Sequence, residues 1–520
     1  MDERTGRRLA WSTAIFSLAT GVSRILGLVR EVVARNYFGV RGPINAFEIA
    51  FLIPNTVRAL LADAALSSAF VPVFTDLLEK GERKRAWRVA SSLVWLMLLG
   101  LGGLTALFIL VAPWVMAPLP YKHSLIVGLS RLLFPLVAVL GVTGIVVGIL
   151  NSYEHFSVPA LTPVFWNLVI ILGLVLGIPH AGSSDGKLYV YAGSIIAATV
   201  LQLLLPLPWL RGRDGHLQLV IDWRDPAVRR VFALMFPISL GLGLININAL
   251  IDALFAAKLI DPQIAPSAIN AAFRLYMLPQ GMFSVAIATV LFPSLARLAT
   301  RGDMPQFRRT VGLGLRQIAF LLVPASVVSA VLAEPITRLV YQRGEFAPSQ
   351  TPVVAAALAA FSAGLVFNGT MLMLNRAFFS LQSNWIPTWV ALGNLALNAA
   401  LDAAFYRFGT WGIPLATAVV NVVGTAVLLR LLRRRLGQFE GRETAESFVR
   451  IAAASAALGA AAFGVWYGID SAVGRTFGGQ VLSVGTALLA GTAVYLLACK
   501  ALRVREMEAL LALRGRLRRT

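Results

Sequence analysis

The sequence predicts an all-α polytopic membrane protein with about 14 transmembrane helices. Three observations carry this. The 520 residues are 58% hydrophobic and only 14% charged, and the mean hydropathy is +0.75, far from soluble globular composition. Apolar windows long enough to cross ~30 Å of hydrocarbon, at ~1.5 Å per residue, recur along the whole chain. Basic residues collect in alternate connections, as the positive-inside rule requires.

The windows lie at 10–36, 44–74, 87–117, 124–150, 158–179 and 188–210. They continue at 231–257, 266–296, 311–334, 352–375, 385–406, 409–430, 449–470 and 478–499. The first runs past 20 residues without a small-residue cleavage site, so it reads as a retained span and not a signal peptide. An even number of spans puts both termini on one side. The clusters Lys80–Arg88, Arg211–Arg230, Arg297–Arg309, Arg430–Arg450 and Lys500–Arg519 then all fall on that face, which is the cytoplasmic one. The net charge of +21 is therefore topological and does not call for a nucleic-acid partner. One cysteine, Cys499, excludes an internal disulfide and a cysteine metal cluster.

The halves echo each other. Pro72, Leu77, Gly81 and Glu82 match Pro293, Leu298, Gly302 and Asp303 at an offset of 221. Gly21 matches Gly243 at 222, and Asn151 and Pro163 match Asn375 and Pro387 at 224. This predicts six spans duplicated, with the two lobes related by a pseudo-two-fold axis along the membrane normal and two further helices appended. The expected divisions are 1–217, 218–440 and 441–520, with a substrate site between the repeats.

Arginines inside the spans are the main functional signal. A guanidinium at bilayer depth costs at least ~2.5–3.5 kcal/mol, so it persists facing water, a partner or a ligand. It never loses its charge, and its planar fork suits phosphate. Arg24, Gly27, Glu31 and Arg35 share one stripe of the first span. Arg24 lies ~21 Å from the start of that span, too deep to escape, and is expected to face a cavity. Snorkelling to the interface accounts for Arg35; for Arg30 it fits as well as a cavity role. In the second span Pro54 frees a backbone carbonyl, and Asn55 and Arg58 share a face. Pairing of Arg58 with Asp63 is the competing reading, at a poor i,i+5 spacing. Arg274 precedes Pro279 in the eighth span and lies ~12 Å deep. Arg131 is a weaker candidate, for which pairing or snorkelling serves equally. Together these residues predict a path for an anion such as a diphosphate.

A second group is acidic and polar: Asp252, then Asn398 and Asp402 at i,i+4, with Thr417 adding a hydroxyl. Hard oxygens on neighbouring helices can hold a small cation or carry a proton; capping or mutual pairing is the alternative. Enzyme signals are thin. His123, His155, His180 and His216 lie in loops or at span ends, none in a zinc-protease pattern, and no phosphate loop is present. Arginine is too basic for general acid–base work.

The motif Ser23-Arg24-x-x-Gly27-x-x-Arg30-Glu31 is followed by Ala46-Phe47-x-x-Ala50-Phe51-x-x-Pro54-Asn55-x-x-Arg58 and by Phe70-Val71-Pro72. These resemble the N-terminal signature of the MurJ (MviN) family of lipid II flippases. Arg274-Leu-x-x-Leu278-Pro279-x-Gly281 and Phe292-Pro293-x-Leu295-Ala296 resemble its second-half signature, and Leu150-Asn151-Ser152 and Pro159-Ala160-x-x-Pro163 also fit. The resemblance covers nearly the whole chain. It implies the fold of the multidrug/oligosaccharidyl-lipid/polysaccharide exporters, with a groove for a lipid tail along the last two helices. It implies a transporter, not an enzyme, in the bacterial cytoplasmic membrane, working as a monomer on lipid II among membrane lipids. Arg24, Arg30, Arg58 and Arg274 match the family's cavity arginines, with Asn55 and Glu31 beside them as substrate-binding candidates. Asp252, Asn398, Asp402 and Thr417 match positions where some members bind sodium, so sodium or a proton is the implied coupling ion, with no other cofactor. The chain departs from the pattern at Asn45 and Phe273, where the family usually or often has an acid, which puts in doubt any gate built on an acid–arginine latch.

Overall fold

A computed structural model describes residues 3–61, 64–213, 215–383, 385–437 and 441–507. Each predicted window coincides with a helix or a closely spaced pair of helices, and no strand occurs among the described residues. In hydrocarbon every backbone polar group needs an internal partner, which leaves helix as the state for such windows. The chain divides into two compact units, Met1–Lys258 with Pro262–Pro266, and Leu259–Asp261 with Ser267–Thr520.

The first unit holds α1 (Glu3–Phe38), α2 (Ile44–Leu61), α3 (Ala64–Glu79), α4 (Arg83–Met116), α5 (His123–Leu133), α6 (Leu136–Ser152), α7 (Ser157–Gly177), α8 (Ser184–Leu204) and α9 (Pro226–Phe255). The second predicted window is thus covered by α2 and α3, and the fourth breaks at Phe134–Pro135 between α5 and α6. Helix α9, the seventh span, packs on α2 and α3 within this unit. The second unit holds α10 (Ala265–Pro279), a π-helical turn Gln280–Ser284, α11 (Val285–Arg301), α12 (Met304–Val331), α13 (Ala333–Tyr341), α14 (Thr351–Ala363) and α15 (Leu365–Ser380). It continues through α16 (Trp385–Phe405), α17 (Gly412–Leu436), α18 (Gly441–Val473) and α19 (Phe477–Ala501). The appended pair α18 and α19 pack on each other, and α18 also packs on α12.

The repeat is visible in local structure. Helix α3 ends with Gly81 at φ 76°, with Gly81 N–H bonded to Leu78 O and Glu82 N–H to Leu77 O. Helix α11 ends with Gly302 at φ 71°, bonded to Ala299 O, with Asp303 N–H on Leu298 O. Both are left-handed glycine stops whose last amide reaches back five residues, built from the residues that match at the offset of 221. Glycine is needed because a side chain at that φ clashes with the backbone.

Three prolines inside spans account for nearby side chains, among them Arg131, which the sequence left ambiguous. Proline removes the N–H that would satisfy the carbonyl four residues earlier, and lipid offers no substitute. Pro113 frees Ile109 O, which accepts from Arg131 Nε at 2.9 Å. Pro163 frees Pro159 O, which accepts from the Thr162 hydroxyl at 2.9 Å. Pro324 frees Phe320 O, which accepts from the buried Tyr495 hydroxyl at 2.6 Å. Arg131 is therefore bonded to the backbone of a neighbouring helix. Tyr495→Phe is expected to destabilise the protein by about 1–3 kcal/mol, because it strands a buried carbonyl. Thermal unfolding in detergent measures this; an unchanged midpoint would mean that Phe320 O finds another donor.

Candidate functional site

Arg24 lies on α1, which packs on α7. Asn167 of α7 donates to Pro163 O at 2.9 Å and reaches Ser23 O at 3.4 Å, next to Arg24. Gly27, one turn on, faces the Asn167 side-chain oxygen. Arg24 itself is exposed, whereas Glu31 and Arg35 of the same predicted stripe are buried.

Half-buried Arg30 lies over the indole of Trp166, 4.8 Å from the ring centroid. Trp166 is held by a hydrogen bond from Nε1 to Thr199 Oγ1 at 3.1 Å, so α7 and α8 fix the ring that α1 lays its guanidinium on. A ring face attracts a cation while leaving the guanidinium edge available for an anion. The motif reading did not include Trp166; an aromatic at that spacing looks like ordinary core.

Arg35 corrects the sequence reading. It does not snorkel. The side chain is buried, at 2% exposure, and its guanidinium contacts Glu31 at 2.7 Å and Glu48 of α2 at 2.8 Å. Its Nη1 also reaches Gly39 O at 3.4 Å. The structure thus places Glu31, predicted beside substrate, in a buried ion cluster joining α1 to α2. The sequence reading used the i,i+4 pair of Glu31 and Arg35 but not Glu48, which lies on another helix.

On α2, Arg58 donates to Asn55 Oδ1 from Nε at 3.1 Å and from Nη2 at 2.9 Å. Asn55 in turn donates to Asn246 Oδ1 on α9 at 3.4 Å. The predicted shared face of Asn55 and Arg58 is present, extended by Asn246. Asp63 lies outside the described residues.

Arg274 is exposed on α10 and donates from Nε to Asn270 Oδ1 at 3.3 Å. One turn later the helix breaks after Pro279 into the π-helical turn. Gln280 donates there to Asn368 Oδ1 of α15 at 2.6 Å, and Asn368 donates to Asn421 Oδ1 of α17 at 3.4 Å. This amide chain holds the break in place just beyond Arg274. Arg24 and Arg274 are thus exposed guanidiniums on helices whose neighbouring turns are tied down.

At the departures from the family pattern, packing accounts for the residues present. Asn45 is fully buried and its amide faces Val40 O and Gly42 O at 3.1 Å and Gln263 O at 2.7 Å. A ring of acceptors calls for a donor, which an ionised acid is not. Phe273 stacks on Tyr276 and packs against Phe361, with centroids 5.7 and 5.6 Å away.

Of the predicted cation group, Asn398 and Asp402 are brought together on α16. Both are buried, and Asn398 Nδ2 donates to Asp402 Oδ2 at 3.1 Å. Thr417 lies on the adjacent α17, its hydroxyl donating to Ile413 O at 3.3 Å. Asp252 belongs to the first unit, where Asn248 donates to its carboxylate at 3.3 and 3.4 Å. Among the described residues no three His, Cys, Asp or Glu side chains group as metal ligands. A site here would have to use amide, hydroxyl and carbonyl oxygens beside one carboxylate, which suits a monovalent cation better than a transition metal.

The family model described as "Lipid II flippase MurJ" matches residues 34–482. The chain belongs to the MurJ family. Among its relatives, the probable lipid II flippase MurJ of Vibrio cholerae is 31% identical over 87% of this chain and 88% of its own. The lipid II flippase MurJ of Burkholderia cenocepacia is 30% identical over 80% of this chain and 82% of its own. A solved MurJ structure in an inward closed conformation aligns at TM-score 0.77 and 24% identity, covering 95% of this chain and 99% of that one. An inward-facing multidrug transporter of the MOP superfamily aligns at TM-score 0.65 and 16% identity, over 82% of this chain and 95% of its own. Both share the fold expected from the resemblance. The MurJ model match begins after Arg24 and Arg30, so those two rest on their own geometry.

Proposed function

We propose that this MurJ family member carries lipid II, an undecaprenyl-diphosphate disaccharide-pentapeptide, from the inner to the outer leaflet of a bacterial cytoplasmic membrane. The observation that carries the reading is the pair of exposed in-span guanidiniums, Arg24 and Arg274, in a chain of this family. Arg30 and Arg58 belong to the same diphosphate-binding set, with Asn55 orienting Arg58. The mechanism is alternating access: the arginines hold the diphosphate, the head group crosses with it, and the prenyl tail stays in lipid along α18 and α19. Both termini are cytoplasmic on the charge distribution, and the protein acts as a monomer. Membrane potential resets the empty cationic carrier, at ~2.3 kcal/mol per charge per 100 mV. Asn398, Asp402 and Thr417 supply oxygens for a coupling sodium ion or proton; a buried carboxylate such as Asp402 is stable with a cation beside it or with a proton on it.

The test is binding and flipping of lipid II against other polyprenyl diphosphates in vesicles of purified protein. Selective movement of lipid II is the expected result. Equal movement of a different lipid-linked oligosaccharide would assign a broader flippase, and chemical turnover without movement would assign a transferase.

A further inference from the structure

The connection 215–225 between α8 and α9 is laid along the start of α4 and tied to it three times. Gln218 N–H donates to Ser91 Oγ at 2.9 Å, Asp222 N–H donates to Ser92 Oγ at 3.0 Å, and Trp95 Nε1 donates to Gln218 O at 2.9 Å. Leu217 packs inward on the core of the first unit. Leu219, Ile221 and Trp223, further along the strap, are 82%, 51% and 56% exposed.

The level of the strap says what these side chains meet. Its ties reach Ser91, Ser92 and Trp95, and Leu98 and Leu99, the next turn of α4, are exposed large apolar residues within its spanning stretch. The turns before Ser91 carry Arg83, Lys84, Arg85 and Arg88. The strap therefore lies where α4 passes from charged to apolar surroundings, the depth of lipid headgroups. Its charges suit that depth. The guanidiniums of Arg224 and Arg229 lie 5.2 and 5.6 Å from the Trp223 ring centroid. The strap's acids are engaged within the protein: Asp222 accepts from the strap's own Arg224 N–H and Asp225 N–H, and Asp225 caps α9 and pairs with Arg85 at 3.3 Å.

We propose that this strap is a docking surface for anionic phospholipid headgroups, with Leu219, Ile221 and Trp223 immersed in the interface and Arg224 and Arg229 binding phosphate oxygens. Tryptophan with an arginine on its face satisfies both halves of that environment, apolar ring and charged headgroup. The proposal is independent of which substrate the protein carries.

Full-length protein in nanodiscs of phosphatidylcholine, with or without phosphatidylglycerol, tests it. The variant Arg224→Gln/Arg229→Gln should retain phosphatidylglycerol in native mass spectrometry on the order of tenfold less than wild type, with phosphatidylcholine retention unchanged. A spin label at position 219, introduced by Leu219→Cys in a Cys499→Ser background, should collide with oxygen more than with an aqueous nickel chelate. The label site is the most exposed position of the strap and keeps every charge, so it reports even if the double variant folds poorly. Equal phosphatidylglycerol retention in a folded double variant, or a label fully accessible to the aqueous chelate, would overturn the proposal. So would protection of the label only when a soluble protein is added.

Discussion

Arg24→Ala and Arg274→Ala are each expected to abolish translocation while leaving the protein inserted and folded. Both side chains are exposed, so their removal opens no core cavity. A bound diphosphate would lose charge-assisted hydrogen bonds, the strongest kind available to it. Lysine should restore only part of the activity, since an ammonium keeps the charge but not the two-pronged geometry. Complementation in cells depleted of other flippases, together with flipping in vesicles, reads the effect. Full translocation by Arg24→Ala would sink the central reading, because the residue that most strongly suggests an anion path would then be dispensable.

Arg35→Ala should behave in the opposite way, damaging stability before chemistry. It leaves Glu31 buried and Glu48 half-buried without the guanidinium that both contact. Breaking a buried pair by removing one partner costs about 3–5 kcal/mol, because the remaining charge is uncompensated. The thermal midpoint of the purified protein should fall sharply, and the protein should accumulate poorly in the membrane. Triple replacement, Arg35→Leu with Glu31→Leu and Glu48→Leu, should recover much of the loss, since apolar residues of similar size can replace a buried ion cluster. A single variant within ~0.5 kcal/mol of wild type would place the side chain at the surface after all.

How far the sequence reached depends on where the partner of each residue lies. The windows, the glycine stops at Gly81 and Gly302 and the shared face of Asn55 and Arg58 come from spacing along one segment, and each is present in the structure. Arg35 and Arg131 were misjudged or left open because their partners, Glu48 and Ile109 O, sit on other helices. Trp166 gave no signal, since nothing in its neighbourhood distinguishes a ring that takes a guanidinium from one that fills space. Pro113 could have flagged Arg131 in one respect: a proline inside a span announces a carbonyl that something must satisfy.

Composition and periodicity alone determined that the chain spans a membrane as helices and that features of its two halves recur at nearly one offset. These follow from the cost of unpaired backbone and bare charge in hydrocarbon, a cost paid residue by residue and so readable from a string. Only the tertiary structure decided what each arginine does. Arg35 is neutralised in a buried cluster, Arg131 satisfies the carbonyl that Pro113 frees, Arg30 rests on an indole, and Arg24 and Arg274 are exposed. A guanidinium can be satisfied by a carboxylate, a carbonyl or a ring from anywhere in the chain, and that choice is made by packing between helices.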